Sequence, residues 1–188
     1  VDLLGFYPVT SVTTTGVQTL NNTVTLPRYT NGAGVQAFIT PSTVMGAATP
    51  SISIGYTNSA STAGRATPAT LPIGNTAAPV TQIVSSGTGA GKFGPFIPLQ
   101  AGDAGIKSVQ SISLSASYVS GVLNLVLCRP LLTLPITTLG VTAERDLINQ
   151  LNSGPRVYDG ACLAWLMLAG AATPVAAPLS GHLEFGWT

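Results

Sequence analysis

The sequence predicts an all-β fold, an antiparallel jelly roll or β-sandwich with one short helix, and three observations carry that expectation. Apolar residues recur at every second position in several short segments. The clearest is Ile112, Leu114, Ala116 and Tyr118 set between Ser111, Ser113, Ser115 and Ser117, the period of a half-buried strand. Glycine and proline, 21 and 14 residues, punctuate these segments with turns. The hydrophobic fraction of 45 % is too high for a chain that stays unfolded, and 188 residues with no dividing linker suffice for one domain, 1–188.

Taken in order, residues 1–8 contain Leu3, Leu4, Phe6 and Tyr7, too few for a membrane anchor and read as an N-terminal arm or a first strand. Thr10 to Leu20 and Thr23 to Arg28 form a hairpin about Asn21-Asn22. A strand runs from Val35 to Thr40 and ends where Pro41 breaks the ladder, and Ser51 to Tyr56 alternates through Ile52, Ile54 and Tyr56. Thr57 to Pro79 is a long surface loop whose only charge is Arg65, with one short edge strand at Thr70 to Ile73. Val80 to Ser85 is a strand, and Pro95 and Pro98 place Phe93 to Leu99 at a sheet edge or bulge.

Ile106 to Arg129 reads as two long strands folded back on each other at Val119-Ser120-Gly121, the second of them, Val122 to Cys128, apolar enough for the middle of a sheet. Thr142 as N-cap, Glu144 and Asp146 in a first turn, and Leu147, Ile148 and Leu151 on one face predict a helix over 142–151, stopped by Ser153-Gly154-Pro155. Ala161 to Ala169 is strongly apolar and reads as core, Cys162, Trp165 and Met167 included, with Leu183 to Trp187 as a closing strand beside it. Cys128 and Cys162 read as buried thiols, with a bridge between neighbouring strands as the alternative.

Charge is scarce: 7 Lys and Arg and 6 Asp and Glu make up 7 % of the chain and leave a net charge of +1. An ordinary soluble domain carries about a quarter. Hydroxyl, amide and small apolar groups must therefore cover the surface, which suits a self-associating protein better than a lone monomer. Neither a basic footprint for nucleic acid nor a polybasic segment for a membrane surface is present in the sequence.

Ser86 to Phe93 resembles a phosphate-binding loop only superficially. Ser86 replaces the first glycine, Phe93 replaces the magnesium-holding hydroxyl, and Gly94-Pro95 stands where a helix must begin. Gly160 to Leu179 is free of charge, but Pro174 and Pro178 argue for a strand and loop over a membrane helix. With His182 the only histidine, a metal site from Cys128, Cys162 and His182 lacks both spacing and a fourth ligand. No nucleophile elbow marks a serine and no carboxylate pair stands out, so the expectation is no catalytic residue, no cofactor and no metal. Arg145, Asp146, Arg156 and Asp159 concentrate charge locally, either as internal pairs or, with Tyr158 as an aromatic anchor, as a subunit contact.

Pro98–Ile112 (PLQAGDAGIKSVQSI), Leu127–Ala172 (LCRPLLTLPITTLGVTAERDLINQLNSGPRVYDGACLAWLMLAGAA) and the closing LEFGW resemble structural proteins of tailed-bacteriophage virions, over roughly the C-terminal half of the chain. The resemblance implies a capsid decoration or cement protein, a class whose jelly-roll subunits commonly form trimers on the outer surface of the head. Such a protein is made in the host cytoplasm and binds the major capsid protein or other virion proteins. In that setting Leu3, Leu4, Phe6, Tyr7, Arg65, Arg156, Tyr158 and Asp159 are candidate subunit-interface residues. A tail, baseplate or neck component is the structural alternative. A glycan- or receptor-binding module using Trp165 or Trp187 as a stacking platform is the third reading, favoured if such a ring is exposed.

Overall fold

The computed structural model describes residues 1–8, 11–20, 25–48, 50–68, 71–72, 83, 95–136, 141–145 and 155–167. Within them the alternating apolar residues form two antiparallel sheets around one core. The strands are β1 (Asp2–Pro8), β2 (Gly16–Thr19), β3 (Gln36–Thr43), β4 (Ser51–Asn58), β5 (Arg65–Ala66), β6 (Leu71–Pro72), β7 (Ile106–Leu114), β8 (Val122–Arg129) and β9 (Cys162–Leu163). One sheet has the order β3-β8-β1-β9; the other has β2-β7-β4-β5, with β6 also paired to β4. The longer strands divide equally between the two sheets, β1, β3 and β8 in the first and β2, β4 and β7 in the second, so that β1 to β4 alternate while β4 and β7 share a sheet.

Register explains which residues reach the core. Ile39, Leu125 and Tyr7 lie side by side across the first sheet, and Ile54 and Ile112 across the second, all buried in the same cluster. On β4 the expected alternation holds, with Ile52, Ile54 and Tyr56 inside. On β7 the inward residues Ile106, Val109 and Ile112 are spaced by three. That spacing is possible because the ladder to β4 skips Gln110 and Lys107, and each irregularity resets the face.

Several expectations are corrected. Ile106 to Arg129 is not a hairpin: β7 and β8 belong to different sheets, and the chain between Leu114 and Val122 carries it from one to the other. Gly121 supplies a positive φ as expected, but so does Val119, while Tyr118 turns inward and donates its N–H to the Val12 carbonyl, 2.9 Å away. Strand character ends at Leu114, and Ala116 is exposed. Nor is 1–8 an arm. It is β1, hydrogen-bonded between β8 and β9, with Leu4 and Tyr7 in the core.

Gly16–Thr19 pairs with β7 and not with Thr25 to Arg28, which are not a strand, so the first expected hairpin is absent from the described residues. Pro41 does not end β3; the strand runs on to Thr43 through a shift in register after Pro41, tolerable because β3 is an edge strand. Residues 95–100 form no strand, but the Ile97 N–H donates to the Ala37 carbonyl and holds this proline-rich piece against the β3 edge. Thr142 to Arg145, expected to open a helix, carry no helical turn, and Arg145 instead reaches back to the Thr133 carbonyl. The rest of that span lies outside the described residues. So do Ser86 to Phe93, Leu183 to Trp187 and most of Val80 to Ser85.

Cys128 is buried but Cys162 is exposed, and neither is bridged. Leu3 stands between them in register, so they are two strand spacings apart, about 9.6 Å. A disulfide needs Cα atoms within about 7 Å. Trp165 and Met167, expected in the core, are 68 % and 62 % exposed. They follow a two-residue strand at the rim of its sheet, where the segment projects past the core.

Candidate functional site

Three of the five arginines, Arg28, Arg129 and Arg156, meet near the junction of β1, β8 and β9. The Asp2 carboxylate is fully buried and accepts two hydrogen bonds from Arg28, from Nε at 2.7 Å and from Nη2 at 2.6 Å, and a third from the Cys162 N–H at 2.9 Å. Arg28 also donates to the Leu3 carbonyl. This bond to the Asp2 carboxylate raises the Arg28 pKa above its usual value, against the opposing effect of burial. One carboxylate thus ties together β1, the loop at Arg28 and the start of β9.

Tyr29 follows in a left-handed backbone conformation, φ +51°. The Arg129 guanidinium sits 5.5 Å from the Tyr29 ring centre and donates from Nη1 to the Ala33 carbonyl at 2.6 Å. Gly34 is required beside it, because its φ is +65° and a Cβ there would occupy the position of the Arg129 guanidinium. The Tyr158 ring meets Tyr29 edge-on, and Arg156 lies 4.7 Å from the Tyr158 ring centre. The Tyr29 hydroxyl donates to the Arg156 carbonyl at 3.2 Å. Burial pushes the Tyr29 hydroxyl pKa up, so it remains a donor at neutral pH. The result is a pair of tyrosines with an arginine at each end: Arg129, Tyr29, Tyr158, Arg156.

Of the sequence-derived candidates, Arg156 and Tyr158 stand in this group, with Asp159 exposed at the adjacent turn. Among the described residues Arg145, Arg156 and Asp159 make no ion pair, and Asp146, the fourth member of the expected internal pairing, lies outside them. Phe6 is 57 % exposed on the outer face of β1, in register with Val126 and Phe38. Leu3 is half-buried on the same strand, and Leu4 and Tyr7 are committed to the core.

Arg65 belongs to a different cluster. The Asp103 carboxylate, its side chain 2 % exposed, accepts from Arg65 Nε at 2.9 Å, the Tyr56 hydroxyl at 2.6 Å and Asn58 Nδ2 at 2.7 Å. Arg65, then Tyr56, hold the Asp103 pKa down to about 2, and burial followed by the Asp103 bond pushes Tyr56 up to about 12. The cluster locks the β4–β5 turn to the loop at Gln100–Asp103. A carboxylate so placed neither takes nor gives a proton near neutral pH. Among the described residues no three His, Cys, Asp or Glu side chains gather as a metal site, and no helix is long and apolar enough to cross a membrane.

Sequence reasoning missed Tyr29 and Arg129. Arg129-Pro130 at a strand end and Arg28-Tyr29 before a Gly-rich loop were visible, but nothing local joins them to Tyr158. Comparison with protein-family models, with curated proteins and with solved structures returned no match.

Proposed function

We propose that this chain is a non-enzymatic structural protein of a tailed-phage virion, a jelly-roll subunit that binds the outside of the head as a decoration or cement protein. The observation that carries the reading is the exposure of Trp165, Met167 and Phe6 on a chain with so little charge. Such side chains are a liability on a monomer and become contact area in an assembly. The resemblance of the C-terminal half to virion proteins points the same way. The jelly-roll reading is supported by the two antiparallel sheets, between which β1 to β4 alternate and β7 and β8 divide, as Greek-key connections do. The favoured state is a trimer on the major capsid protein, in which three modest contacts add up through avidity.

The test is co-sedimentation of the purified protein with phage heads that lack it. Saturable binding to heads that also raises their thermal resistance supports the role; binding to tails, baseplates or necks alone replaces it with the tail reading. One observation favours a second reading, a glycan-binding module: the Trp165 ring is exposed and offers a stacking platform. Saturable quenching of tryptophan fluorescence by host-surface glycans, lost in Trp165→Ala, would favour it.

A further inference from the structure

Among the described residues nearly every cation is already engaged. Arg28 is on Asp2, Arg65 on Asp103, Lys107 on the Ser61 hydroxyl, Arg129 on the Ala33 carbonyl and Arg145 on the Thr133 carbonyl. Arg156 differs: its guanidinium faces the Tyr158 ring and no described acceptor meets its N–H groups. Three residues on, Asp159 is exposed with no described donor. The two sit on either side of the half-exposed Tyr158 in a turn closed by the Ala161 N–H on the Tyr158 carbonyl, with Gly160 at φ +72°.

We infer that this turn is a self-association site, in which Arg156 of one copy of the chain pairs with Asp159 of another across Tyr158. The charge pattern selects the partner, since a cation and an anion that find no ion-pair partner among the described residues, on one turn, are met in full by the same turn on a second copy. Stacking on Tyr158 leaves the edge of the guanidinium, with its fork of donors, free for a carboxylate. The Tyr29 hydroxyl on the Arg156 carbonyl fixes the backbone beforehand, so little ordering is lost on contact. The pairing closes a two-fold contact reciprocally or a ring head to tail. It rests on the assembly role above only in requiring that copies associate.

Purified protein with no phage component present, studied by sedimentation velocity over a concentration series, separates this inference from the capsid reading. Wild type should associate; Arg156→Asp and Asp159→Arg should each weaken association at least ten-fold; the double charge swap should restore it. Neutral variants Arg156→Gln and Asp159→Asn, with circular dichroism on all, separate lost contact from lost fold. A wild type that stays monomeric, single variants that associate unchanged, or a folded double variant that fails to recover would each overturn the pairing. The last result would assign the Arg156 contact to another carboxylate, Glu144 or one on a foreign protein. Head binding that survives in a monomeric wild type would leave the cement reading standing without this one.

Discussion

Tyr29 and Tyr158 meet edge to face, with ring centroids 5.2 Å apart and planes at 89°, and the Tyr29 hydroxyl also holds the carbonyl of Arg156. A segment with no strand of its own is thereby fixed to the end of a sheet. Tyr29→Ala should cost about 1–2 kcal/mol, from the aromatic pair and the Arg129 contact. Tyr29→Phe should cost less, since both ring contacts remain. The denaturation midpoint measures the first effect. Tryptic cleavage after Arg156 measures the second, and should accelerate far more in Tyr29→Ala than in Tyr29→Phe.

Asp2 links three separate pieces of chain from a fully buried position, so Asp2→Ala leaves Arg28 and the Cys162 N–H without their acceptor. The expected loss is about 3 kcal/mol, the lower end of what breaking a buried pair costs. Deleting 1–8 removes a strand bonded on both sides, and should abolish the cooperative thermal transition altogether. A deletion variant that melts like wild type would show that β1 is dispensable.

How much of this was legible in the sequence depended on whether the signal was local. Ile52, Ile54 and Tyr56 announced β4 because strand period and burial coincide there. Gly121 announced a turn, but a positive φ serves a crossing between sheets as well as a hairpin, so the partner of β7 was misassigned. The apolar run at Cys162 to Met167 reads as core by hydropathy, which does not report whether anything covers a side chain. Arg156 and Tyr158 stood out as a charged and aromatic group beside a turn. Their fixation by Tyr29 is a contact between distant segments that no spacing rule encodes.

Acid should act through Asp103. Folding lowers this carboxyl from 3.8 to about 2, so its contribution is fully present above pH 3.8 and is lost as the pH falls toward 2. Tyr56 is shifted the other way, from 10.0 to about 12, so its contribution is present below pH 10 and is lost as the pH rises toward 12. Urea midpoints across both ranges should show these two declines. Asp103→Asn should flatten the acid limb, and Tyr56→Phe the alkaline one.

The two thiols should react at different rates. Cys162 is exposed, whereas Cys128 lies in β8, where burial pushes its thiol up to about 12. A maleimide reagent at neutral pH should label Cys162 in the native protein and Cys128 only after unfolding, since the thiolate is the reactive form. Equal labelling under native conditions would contradict the placement of β8.

The central claim, that the chain is a head-bound structural protein, is tested most directly by cryo-electron microscopy of phage particles that carry it. Density for the two-sheet subunit is expected on the outer surface of the head, in groups of three where capsomers meet, with the edge that bears Trp165 and Met167 covered by a neighbour. Density confined to the tail, baseplate or neck would contradict it.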